Sequence, residues 1–210
     1  NEGLNINQLI EAGHYKIIVE NLLLTKGLNY GQLPKGLLQF HKYEDSARTP
    51  LEEHLVEAAL YAGSNGKAQI HFTVSHEHKP LFESLVHEVL PQYEHMFGVK
   101  YDVSFSEQKS ATDTIAANMD NEPFRDNGKL LFRPGGHGAL IENLNDLQSD
   151  IIFIKNIDNV VPDRLKADTV EYKKVLAGVL VELQGRAFSY LRLLDSGIYS
   201  HSDLEEIIRF

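Results

Sequence analysis

The order of elements predicts an α/β fold: a doubly wound, mainly parallel sheet followed by a helical C-terminal part. Three observations carry that expectation. Strand-like and helix-like patterns alternate from about residue 36 to residue 107, which calls for right-handed crossovers between parallel strands. The run "DIIFIKNID" contains four consecutive apolar residues, Ile151 to Ile154, as a strand covered on both faces does. From Asp163 onward the apolar spacing is helical almost throughout.

Residues 4–12 and 15–24 read as short helical or mixed pieces before the turn "TKGLNYGQLPKG". "GLLQF" suits a short strand. Thr49, Pro50 and Glu52 then supply an N-cap, a first-turn proline and a capping-box carboxylate for a helix running to about Tyr61. "GSNG" breaks it, and "AQIHFTVS" alternates with the β-branched and aromatic content of a strand. Leu81, Leu85, Val86, Val89 and Leu90 recur at helical spacing, with Pro91 as an expected kink and Gly98 as the stop. "VKYDVSFSEQ" returns to period two, and "DIIFIKNID" is expected as a central strand. Beyond it, Val170, Val175, Leu176, Val179, Leu180 and Leu183 mark one long helix, and a second starts near Ser202. The expected division is a core over 1–163 and a helical segment over 164–210.

The totals exclude several classes of function. With 20 basic against 30 acidic residues the formal charge is -10, which argues against a nucleic-acid polymer as partner. The chain has no cysteine, so disulfides, thiolate nucleophiles and Cys-ligated metals are out, and a reducing, cytoplasmic setting is the expectation. No apolar run approaches the roughly 18 residues of a membrane span, and no signal peptide is evident. The first residue is Asn1 rather than methionine, as in a fragment of a longer protein.

Chemistry is expected where strands end, because ligands of open α/β sheets bind beyond the carboxyl ends. Asp158, flanked by Asn156 and Asn159, offers hard oxygens of the kind Mg²⁺ takes one or two at a time. On spacing alone, the start of an ordinary turn explains it equally well. In "RPGGHGAL", Gly135, Gly136 and Gly138 allow backbone N–H groups close to a flat or anionic ligand, beside His137; a plain strand-to-helix turn is the competing reading. Lys35, after Pro34, is a compact charge suited to phosphate, or a surface lysine. His71, His76, His78, His87 and His95 contain no HExxH pattern, and His71 and His76 fall on different elements, which argues against zinc. Glu52 with Glu53, and Glu205 with Glu206, read as capping and solvated helix faces.

Together, Pro34-Lys35, Gln108, Pro134-Gly135-Gly136-His137-Gly138 and Asn156-Ile157-Asp158-Asn159 resemble the UDP-glucose and UDP-N-acetylhexosamine pyrophosphorylase group of nucleotidyltransferases. The likeness covers roughly residues 27–163. The wording as a whole is similar to a bacterial branch of that superfamily classed as a domain of unknown function. The resemblance implies a GT-A type, nucleotide-diphospho-sugar transferase-like core. It implies that Lys35 meets triphosphate oxygens, Gln108 and Gly136 the base, His137 the base or sugar, Asn156 the nucleotide and Asp158 a Mg²⁺ ion. The expected activity is nucleotidyl transfer from a UTP-like nucleoside triphosphate to a sugar-1-phosphate, with Lys35 and Asp158 as the catalytic pair. "GLNYGQ" is not the Gly-rich loop that the group carries ahead of its Pro-Lys, so the core is expected to lack its first strand and loop. A nucleotide-sugar binding protein without catalysis, and a metal-dependent glycosyltransferase, are the alternatives.

Overall fold

In the computed structural model, which describes residues 3–210, helices α1 (Ile6–Glu11) and α2 (Tyr15–Leu23) come first. A 3-10 turn follows at Lys35–Leu37, then a small hairpin of β1 (His41–Lys42) and β2 (Ala47–Arg48). Helix α3 (Pro50–Tyr61) carries the capping box that its sequence spells: the Thr49 side chain accepts from the Glu52 N–H, and Glu52 accepts from the Thr49 N–H. Strand β3 (Gly63–Ser64) turns back antiparallel onto β4 (Lys67–Val74). Helix α4 (Lys79–Phe97) runs on through Pro91 and ends on Gly98, whose left-handed φ of 63° suits glycine. It leads to β5 (Lys100–Glu107), parallel to β4 in register from Lys67↔Lys100 to Val74↔Glu107.

The expected doubly wound sheet is not formed. About 49% of the chain is helical, and among the described residues the strands make only sheets of two or three. The largest is β3-β4-β5, in which β4 and β5 are the parallel pair. Period-two alternation explains why. Ala68, Ile70 and Phe72 share a face with Tyr101, Val103 and Phe105 and join a core with Leu51, Leu55, Phe82, Val86 and Tyr93 of α3 and α4. The other face is polar: His71 Nδ1 and Nε2 lie 2.8 Å from the hydroxyls of Ser104 and Ser106, and Thr73 bonds Ser106 at 3.1 Å. Alternation of this kind marks one buried face, whereas a doubly wound sheet needs strands apolar on both.

Two expected strands fail for local reasons. "GLLQF" begins inside the 3-10 turn instead, because Gly36 is buried with no room for a side chain: a Cβ there would stand 2.7 Å from the Phe82 ring. "DIIFIKNID" is extended but belongs to no sheet. Its alternate residues face α3, where Phe153 meets Tyr61 at a ring-centroid distance of 5.0 Å and Lys155 pairs with Glu57. Ile152 and Ile154 point away, with Ile154 68% exposed.

From Thr114 to Arg133 a chain of two-residue strands, β6 (Thr114–Ile115), β7 (Arg125–Asp126), β8 (Lys129–Leu130) and β9 (Phe132–Arg133), folds back on itself as β6-β9 and β7-β8 pairs. A 3-10 turn at His137–Leu140 then opens the short helix α5 (Ile141–Leu144).

The chain divides after Pro162 into two units. The second consists of the long helix α6 (Asp163–Asp195) and α7 (His201–Arg209). A capping box of Ser200 and Asp203 starts α7. Tyr190 donates to Glu206 at 2.7 Å, and its ring lies 5.2 Å from that of Phe210, which holds α7 against α6. Val175, Leu176, Val179 and Leu180 of α6 are exposed. No helix among the described residues is long and apolar enough to cross a membrane.

Candidate functional site

The carboxyl ends of β4 and β5 lie side by side, and the chain is anchored to them from several directions. Asn143 of α5 donates to the Ser106 hydroxyl at 3.0 Å and to the Glu107 carbonyl at 2.7 Å. Lys109 donates to the Glu142 carbonyl at 3.1 Å and pairs with Asp146 at 2.8 Å. These contacts tie the helix that follows the glycine loop to the end of β5. On the other side, the 3-10 turn of Lys35–Leu37 rests on Phe82 and Ile157 through the bare Gly36 backbone.

Between that turn and the carboxyl end of β4 is a hollow of about 190 Å³. Phe72, Val74, Phe82 and Ile157 supply its apolar lining, Thr73 and Ser75 stand beside them, and Lys35 with Gly36 form its edge. A larger hollow, about 400 Å³, lies by Gly66, Glu94, Gly98 and Lys100. That one is at the opposite, amino ends of the strands, holds a Glu94–Lys100 ion pair, and contains none of the residues expected to carry chemistry.

Lys35 and Asp158, 123 positions apart, meet at the strand-end rim: Lys35 Nζ donates to Asp158 Oδ2 at 2.7 Å. This hydrogen bond holds the Asp158 carboxyl below the ordinary carboxylate range; its own backbone N–H acts in the same direction, and His137 is near enough to add to it. Two of the expected residues, Lys35 and Asp158, therefore meet directly. His137, Gly136 and Gly138 are exposed around the start of the 3-10 turn, and a Cβ at Gly136 or Gly138 would meet nothing within 4 Å. Gly135 differs, since a Cβ there would stand 2.7 Å from the Thr112 carbonyl oxygen. Its glycine serves the fold, letting the loop cross residues 108–112. Gln108 is beside it, donating to the Thr112 hydroxyl at 3.2 Å. Asn156 is exposed, and its carbonyl accepts from the Asn159 N–H at 3.0 Å, closing the turn that carries Asp158.

Helix α3 buries polar residues of a kind expected on a solvated face. Glu53, read from the sequence as part of such a face, is fully buried; it accepts from Tyr43 at 2.6 Å and lies 2.9 Å from His41 Nδ1 and 3.6 Å from Arg48. Glu57, 1% exposed, accepts from Lys155 and, at 2.8 Å, from Tyr61. Burial, then Glu57, push the Tyr61 phenol far above its usual range. His54 Nε2 lies 3.1 Å from the Ile157 carbonyl, next to Asp158, and burial lowers its pKa. The signal was present in sequence as Glu53, Glu57 and Tyr61 at spacings of four, which recur on one face of a helix.

Among the described residues no three His, Asp or Glu side chains converge as a metal cage. Mg²⁺ needs less, because it travels on phosphate oxygens and keeps waters, taking one or two carboxylates. Asp158, ionised and 39% exposed, fits that mode. His76 bonds Glu107 at 3.0 Å and His78 bonds Ser75 at 2.7 Å, so each histidine of "SHEHK" is engaged locally.

A family model described as a domain of unknown function, DUF4301, matches residues 1–210, and the chain belongs to that family. No curated protein and no solved structure matches it.

Proposed function

We propose that the rim around Lys35, His137 and Asp158 binds the phosphates of a Mg²⁺–nucleoside triphosphate, and that the protein is a sugar-1-phosphate nucleotidyltransferase. The observation that carries this reading is the Lys35–Asp158 contact of 2.7 Å, formed by two motifs 123 residues apart. In the pyrophosphorylase group, which these motifs resemble, the same three residue types serve a nucleotide. The reading rests on the site, not on a shared fold.

In the reaction, an oxygen of the sugar-1-phosphate forms a bond to the α-phosphorus, the bridge from the α- to the β-phosphate breaks, and pyrophosphate leaves with the electron pair. Such a transfer needs alignment and charge neutralisation, not a side-chain nucleophile. Lys35 would move from Asp158 to a phosphate oxygen, which leaves the carboxylate of Asp158 to hold Mg²⁺. The metal, when bound, neutralises phosphate charge. The open backbone at Gly136 and Gly138 admits close approach of the nucleotide, and His137 donates to base or sugar. A hollow of about 190 Å³ is below the roughly 300 Å³ of a typical ligand pocket, so it suits one ring or phosphate, with the remainder on the open loop.

The test is pyrophosphate release from a panel of nucleoside triphosphates and sugar-1-phosphates with Mg²⁺, beginning with UTP. Asp158→Asn and Lys35→Met are expected to cut the rate about tenfold to a hundredfold, the equivalent of the ~1.5–3 kcal/mol carried by a hydrogen bond to a charged group. Full activity in Asp158→Asn would remove the metal assignment. The small hollow favours a second reading, binding of a nucleotide-sugar without transfer. It predicts saturable nucleotide-sugar binding and no pyrophosphate from any pair.

A further inference from the structure

We infer that the buried Glu57–Lys155 ion pair is a register pin, which sets the extended segment 151–156 on α3 and thereby delivers Asp158, in the turn that follows, to Lys35. Its consequence for ligand binding rests on the reading of the site given above; its consequence for the fold does not.

The segment meets α3 through Phe153 to Tyr61, Lys155 to Glu57, and the Ile157 carbonyl to His54. The partners ascend α3 as the segment descends, so the two run antiparallel. Seven helix positions span ~10 Å and four extended positions ~13 Å, close enough for the two to march together. No sheet ladder fixes this alignment, since the segment belongs to no strand pair. Apolar packing holds the far end, where Ile157 rests against Gly36, but distinguishes registers poorly at the near end, where Ile151, Ile152, Phe153 and Ile154 are all apolar.

Lys155 breaks that degeneracy. Its side chain is 10% exposed and Glu57 is 1% exposed, so any slip strands one charge in the interior without its partner. The pair is poorly suited to a purely stabilising role: Glu57 Oε2 receives both Lys155 and Tyr61, while Glu57 Oε1 is buried with no hydrogen-bond partner. Apolar side chains of similar volume would avoid that desolvation. What they cannot do is tell one register from the next. Three positions beyond Lys155 is Asp158, whose contact with Lys35 demands the register observed.

Zero-length carbodiimide cross-linking reads the register directly, because it joins a lysine to a carboxylate only when the two touch. The Lys35–Asp158 cross-link is quantified by peptide mass spectrometry against the Lys109–Asp146 pair, 2.8 Å apart. In Glu57→Leu/Lys155→Met the Tm is expected to be no lower than in the parent, the Lys35–Asp158 cross-link at least tenfold weaker, and the reference cross-link unchanged. The reversed pair, Glu57→Lys/Lys155→Glu, restores the cross-link. An undiminished cross-link in the apolar variant overturns the inference, and so does a failure of that variant to fold, which would make the pair a stability element. Calorimetric titration with Mg²⁺–UTP supplies the functional arm: binding at least tenfold weaker in the apolar variant and regained in the reversed one. If the parent binds no Mg²⁺–UTP while the cross-link follows the pair, the pin stands and the nucleotide reading falls.

Discussion

Three glycines in "PGGHG" look alike on paper and have different work to do. A methyl group at Gly135 would press on the Thr112 carbonyl at 2.7 Å and on Ala139 at 3.0 Å, whereas Gly136 and Gly138 face open space. Gly135→Ala is therefore expected to lower stability by about 1–3 kcal/mol, the usual cost of overpacking, measured by urea unfolding. Gly136→Ala is expected to leave the unfolding midpoint unchanged and, under the proposed function, to weaken Mg²⁺–UTP binding. The sequence marks this loop as a place of close approach but does not separate a glycine needed by the protein's own backbone from one that leaves space for a ligand. That distinction depends on Thr112, some twenty residues away in the chain. Lys35 and Asp158 are a similar case: each residue type pointed to phosphate chemistry, and only the fold brings them together.

Among elements, α3 organises the molecule. One face carries Leu51 and Leu55 into the core, and buried Glu53, His54 and Glu57 hold the β1–β2 hairpin and the segment that ends in Asp158. His54 ties this element to pH. Burial lowers its folded pKa below the usual value of 6.5, so the unfolded chain binds the extra proton more readily. The resulting stability is complete above about pH 6.5 and is lost as pH falls toward the folded pKa. His71, lowered by burial in the same direction, adds to the slope. Tm is expected to fall between pH 7 and pH 5, and His54→Gln should flatten part of that dependence. The helix boundaries and strands β4 and β5 were legible, because caps, glycine stops and alternation are local signals. The sheet was not. The apolar run Ile151–Ile154 carries the composition of a central strand, yet strand pairing is a property of neighbours, and the neighbour that this segment found is a helix whose acidic residue attracts Lys155.

For the whole molecule, a formal charge of -10 and a sequence pI near 5.4 set how copies meet. Ile152 and Ile154 are exposed along an extended stretch outside any sheet, and extended apolar backbone is a template for strand pairing between chains. Repulsion between like-charged copies opposes that encounter. Light scattering is expected to rise as pH is brought from 7.5 toward 5.4, or as salt shortens the reach of the charges. Ile152→Lys/Ile154→Lys should suppress the rise. The acidic composition thus acts as a guard on one uncovered ribbon: neutralise the guard and molecules sound in isolation begin to stitch to one another, with no loss of their individual folds required beforehand.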